Sequence, residues 1–185
     1  MKRLWIALLL CSATSQLLGA DFDLGTNGAL TIRVPEKWTV AGKAADRPDG
    51  SHLGYALALK PVGGGHAKCL ITFAYVHEPA VDRERIRKQV VDATKQLVSG
   101  SVEKKQSLKD FKLSQGYGAY CVFTDASLIG KESEGDDYRV LGSGIIQLSG
   151  NVLGVVSIFA DDASGLEFKS MLEALNTMEL KRSTE

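Results

Sequence analysis

The chain has 185 residues and carries 22 Lys plus Arg against 22 Asp plus Glu. A balance of that kind excludes binding to nucleic acid or to an anionic membrane through a global field, which needs a strong basic bias or stripe. The length suits one domain with a core large enough to fold without a covalent staple.

The first twenty residues, MKRLWIALLLCSATSQLLGA, place Lys2 and Arg3 ahead of a short apolar run that ends in small residues. This is the layout of a secretory signal peptide, so residues 1–20 are expected to be a leader and 21–185 a single exported domain, periplasmic or secreted. Cleavage is expected after Ala20; Leu18 is large for the small-x-small pattern, which leaves cuts after Ala13 or Ser15 as alternatives. Ser12, Thr14, Ser15 and Gln16 interrupt the apolar run, which is too short for a membrane span of about 20 residues. No transmembrane segment is therefore expected after cleavage. Leu10 before Cys11 is too bulky for a lipidation signal. Loss of the leader removes Lys2, Arg3 and Cys11, leaving 20 basic against 22 acidic residues and two cysteines, Cys69 and Cys121. In an oxidising compartment these can form a disulfide closing a loop of about 50 residues, worth about 4 kcal/mol. The other reading is two separate buried thiols, and both stand at this point.

In GALTIRVPEKW, Leu30, Ile32 and Val34 alternate with polar residues up to Pro35, which predicts a strand. A polar loop is expected over 41–52, with turn chemistry at Pro48-Asp49-Gly50. Tyr55, Leu57 and Leu59 form a second strand, and Cys69, Ile71, Phe73 and Tyr75 a third, joined as a hairpin through glycines 63–65. Ile86, Val90, Ala93 and Leu97 recur at helical spacing, with Asp82 and Glu84 in the first turn and Gly100 placed to end the helix. Strands resume at Phe111 and Leu113 and at 119–124. A polar loop spans 130–137. The strands 139–148 and 152–159 flank Ser149-Gly150-Asn151, and their apolar character marks them as central and covered on both faces. Ser164 and Glu167 form a capping-box pattern ahead of a second helix bearing Phe168, Met171, Leu172, Leu175 and Met178. Short links demand antiparallel pairing, so the fold class is α+β, one sheet with helices packed on it.

The DFDLGTNGALTIRVPEKW opening, the mid-chain amphipathic helix, the late hairpin and the closing FKSMLEALNTMEL helix together resemble the PsbP-like superfamily. That group holds the lumenal extrinsic protein of photosystem II, the Ran-binding Mog proteins and exported bacterial proteins. The resemblance covers nearly the whole mature chain and implies an antiparallel sheet sandwiched by helices (α/β/α). It also implies relatives that mostly bind or assist protein partners and share no common catalytic site, so no functional residue is carried over.

Tests for chemistry return absences. His77-Glu78 is followed by Pro79, Ala80 and Val81, so the H-E-x-x-H of a zinc hydrolase is missing, and no pair of Cys-x-x-Cys units exists. Ser101-Val102-Glu103-Lys104 has the S-x-x-K form without the S-D-N and K-T-G elements it needs, and G-x-S-x-G is absent. Gly63-Gly64-Gly65-His66 lacks the Lys-Ser/Thr of a phosphate loop. Glu132, Glu134, Asp136 and Asp137 lack the ligand spacing of a calcium loop. The sequence therefore points to no catalytic residue, metal or cofactor. The expected function is a non-catalytic exported accessory protein that contacts an unknown protein partner, with no role in nucleic-acid binding. Its candidate contact loops hold Arg47, Asp49 and His52, and Glu132, Glu134, Asp136 and Asp137, because polar loops on rigid scaffolds commonly carry function. A binder of a small apolar ligand between sheet and helix is the second reading. A hydrolase built on His52, His66 or His77 is the third.

Overall fold

A computed structural model describes residues 17–46, 52–76, 82–148 and 151–181. Among these residues two antiparallel sheets, where a single sheet was expected, and two α-helices make the chain an α+β protein. A small sheet has the order β1 (Leu17–Asp23), β2 (Ala29–Pro35), β10 (Glu179–Lys181). The large sheet has seven strands: β3 (Trp38–Asp46), β4 (His52–Pro61), β5 (Ala67–Tyr75), β9 (Val152–Ala160), β8 (Val140–Gln147), β7 (Tyr117–Thr124) and β6 (Lys109–Asp110), in that spatial order. The helices are α1 (Arg83–Thr94) and α2 (Leu166–Asn176).

The period of two decides what each face of the large sheet meets. Leu57, Leu59, Cys69, Ile71, Phe73, Val156 and Ile158 point one way. They join Leu30, Ile32 and Val34 of β2 and Phe168, Met171 and Leu175 of α2 in one buried cluster. Ala119, Cys121 and Phe123 point the other way and form a second cluster with Val90 of α1. The α1 stripe works as the spacing predicts, with Ile86, Val90 and Thr94 buried and Asp82 capping the first turn through the Arg85 amide at 2.7 Å.

Several expectations need correction. The 41–52 segment is mostly strand: Ala41–Asp46 belongs to β3, which pairs along β4, and His52 opens β4. Only Arg47, Pro48, Asp49, Gly50 and Ser51 remain between them; this turn and its candidate residues Arg47 and Asp49 lie outside the described residues. The Phe111–Leu113 strand shrinks to Lys109–Asp110. Ser164 does not cap α2. Its hydroxyl donates to the Asp162 carboxylate at 2.8 Å, and Gly165 holds the cap position. Strands β8 and β9 are central, but Val155 of β9 is 49% exposed, so β9 is not covered on both faces.

The cysteines are free and buried. Between β5 and β7 lie β9 and β8, so Cys69 and Cys121 stand three strand spacings apart, about 14 Å, far beyond the reach of a disulfide. They also face opposite sides of the sheet, and burial pushes the Cys69 thiol pKa up to about 12. The bridged reading fails.

Strand β1 begins inside the expected leader. Leu17, Leu18, Gly19 and Ala20 pair with Pro35, Val34, Arg33 and Ile32, and Ala20 packs on the main core. A cut after Ala20 would strip these residues from the strand, whereas cuts after Ala13 or Ser15 leave it whole. A chain starting at Asp21 is expected to be less stable in urea than one starting at Gln16. The expected difference is about 1–3 kcal/mol, two or three ladder hydrogen bonds at about 1 kcal/mol each.

Candidate functional site

The C-terminal end of α1 runs into a short 3-10 turn, Lys95–Leu97, and the chain is then stitched to the end of β7. The Val102 amide donates to the Thr124 carbonyl at 2.8 Å and the Ala126 amide to the Gly100 carbonyl at 3.0 Å. Glu103 accepts from both the amide and the hydroxyl of Thr124, at 2.9 and 2.7 Å. Partial burial works against its charge, but these donors outweigh it and lower its pKa. Beside this junction opens a cavity of about 450 Å³. Phe123, Leu141 and Phe159 form its sheet floor, Leu97 one wall, and Asp125, Asp136, Asp137, Tyr138 and Arg139 the other.

Apart from Asp125, just after β7, that wall is the end of the acidic loop expected over 130–137 with the two residues that follow it, and side chains of β5 and its approach hold it in place. Lys68 donates from Nζ to Asp136 Oδ1 at 2.8 Å and lies 4.7 Å from the Tyr138 ring centre and 5.1 Å from that of Phe159. The Asp136 hydrogen bond raises the Lys68 pKa, and the same bond lowers that of Asp136. The His66 ring stacks on Tyr138, with centroids 4.4 Å apart. Its Nδ1 meets Asp161 Oδ2 at 2.9 Å and its Nε2 meets the Gly135 carbonyl at 3.0 Å. Glu132 and Glu134 are exposed and do not line the cavity, and Asp137 is exposed at its rim.

Both partners of His66 are acceptors, so only the doubly protonated ring satisfies both. Burial opposes that charge, yet the Gly135 carbonyl and the Asp161 carboxylate prevail and raise the His66 pKa above 6.5. A raised pKa means the folded state binds the proton more tightly than the unfolded chain. The added stability is complete below the ordinary imidazole value and is lost as pH rises through the folded one. Amide exchange measured across pH should therefore show segment 131–137 best protected at mildly acidic pH, loosening above pH 6.5; His66→Gln should remove that dependence.

Geometry decides what this arrangement can do chemically. A histidine acting as general base needs one ring nitrogen free to accept a proton from a nucleophile. In His66 one nitrogen is held by Asp161 and the other by a carbonyl, while Ser133 lies against Asp161 and Arg139 rather than the imidazole. The cluster is therefore a clamp on the loop. Among the described residues no group of three or more His, Cys, Asp or Glu side chains is placed to hold a metal ion.

The structure thus brings Asp136 and Asp137 to the cavity wall and leaves Glu132 and Glu134 in solvent. His52 opens β4, and His77 lies outside the described residues. Sequence reading missed His66, Lys68, Tyr138 and Asp161 as a unit. Its one available signal was a histidine directly after three glycines. Gly63 and Gly64, at φ 87° and 101°, make the turn that delivers His66 to the loop.

No helix among the described residues is long and apolar enough to cross a membrane. No family model matches the chain, and no curated protein matches it.

Proposed function

We propose that this chain is a non-catalytic exported accessory protein of the cell envelope, a helix-covered sheet of the PsbP-like type that works by holding a protein partner. One observation carries the reading: an acidic loop is clamped from beneath by His66 and Lys68 while Glu132, Glu134 and Asp137 stay in solvent beside an open cavity. Charged side chains on a pre-organised loop lose little entropy on binding and complement a basic or polar segment of a partner. The engaged state of both His66 nitrogens supports a binding role over hydrolysis.

The test is quantitative affinity capture from envelope extract with the wild-type chain and a Glu132→Lys, Glu134→Lys, Asp137→Lys variant. A partner recovered by the wild type and lost by the variant supports the reading; equal recovery, or none by either, defeats it. The cavity favours a second reading, since about 450 Å³ falls in the range of small-molecule sites. Its lining mixes aromatic floor with Asp125, Asp136, Asp137 and Arg139, which suits an amphipathic ligand better than a purely apolar one.

A further inference from the structure

The face of the large sheet that α1 covers at β7 and β8 continues over β9, β5, β4 and β3, where no described helix packs on it. Ala41, Ala56, Ala58, Leu70, Thr72 and Val155 point outward there, in neighbouring positions of one register. Leu70 is 39% exposed and Val155 49%. A sheet face made for water alternates to polar residues. This one carries a single charge in its centre, Lys43, which has no ion pair among the described residues. An apolar patch of a few hundred Å² is the size of the largest patch on an ordinary monomer, and such patches are often functional.

Dimensions and charge select the occupant. From β3 to β9 is about 14 Å, room for one helix of about 10–12 Å diameter beside α1. The flat face covers about 400 Å², half of what each side of a standard protein interface buries, so it is too small to hold a second copy sheet to sheet. Two such faces would also bring Lys43 onto like charge. The stretches 39–45, 54–60, 68–74 and 153–159 contain no acidic residue, while Lys43 lies on the face and Lys60 at its end.

We propose that this half-face seats an amphipathic α-helix of a partner protein, laid alongside α1. Its apolar stripe rests on Ala58, Leu70 and Val155, and its carboxylates face Lys43 and Lys60. The small alanines let the helix approach closely, and the lysines set which flank is acidic. The proposal rests on the protein-partner reading and assigns it a second surface, distinct from the acidic loop.

The experiment expresses the full chain in its native host with a photo-cross-linking benzoylphenylalanine at Ala56, Thr72, Glu132 or, as control, Lys169 of α2. Mass spectrometry then locates the residue joined on the other side. The expected result is adducts from positions 56 and 72 at residues three or four apart in a partner segment flanked by Asp and Glu. The adduct yield should fall severalfold when Lys43→Glu is added. Adducts to a second copy of the chain, to lipid or to an extended segment overturn the proposal. Capture at position 132 with none at 56 or 72 overturns it while leaving the partner reading standing. Silence at all three overturns both.

Discussion

Phe73→Ala is expected to lower the unfolding free energy by about 3–5 kcal/mol, read from urea denaturation. Phe73 is 1% exposed on β5, an inner strand flanked by β4 and β9. It pairs with Gly154, and a Cβ built there would come within 2.9 Å of the phenyl ring. The ring therefore fills the space of two side chains, and its removal opens a large cavity in the core. A small domain is stable by about 5–15 kcal/mol in total, so the loss should be visible in any unfolding assay. A cost under about 1.5 kcal/mol, the size of a volume-conserving swap, would show that the core is not packed through this residue.

The second large effect is expected at Gly54, where the whole penalty falls on backbone. A Cβ at this position would stand 2.0 Å from the Phe73 carbonyl oxygen, inside a ladder paired on both sides. Gly54→Ala should cost at least the upper end of the 1–3 kcal/mol typical of overpacking, that is about 3 kcal/mol. The matched control is Gly100→Ala, whose Cβ meets nothing within 4 Å and should be nearly neutral. Thermal unfolding of the two variants side by side decides the matter, and equal midpoints would refute the register of β4 against β5.

Where the sequence contrasted apolar with polar residues strongly, it was legible. Leu30, Ile32 and Val34, then Cys69, Ile71 and Phe73, then Ile86 and Val90 all take the buried positions their periodicity assigns. Strand β3 was invisible because Ala41, Gly42, Lys43, Ala44 and Ala45 offer no contrast; its outward side alternates alanines with Thr39 and Lys43 while its inward side holds Gly42 and Ala44. That same lack of contrast is the signature of the proposed helix seat. Strand β1 was hidden by a leader pattern that overlaps its first residues, and β10 by its brevity. The clamp was unreadable for a different reason: His66 and Asp161 are 95 residues apart, and the contact exists only because β5 lies beside β9. Ser164 misled because its own turn offered a nearer acceptor, Asp162, than the helix it was expected to cap.

Hydrogen-exchange mass spectrometry of the full chain, alone and in the presence of an envelope extract of its host, tests the proposed binding role most directly. Slowed exchange is expected in segment 130–137 and along β3, β4 and β5, with α2 and the small sheet unchanged. Identical rates throughout, or protection confined to α2 and β10, would contradict a partner held on the clamped loop and the bare strands.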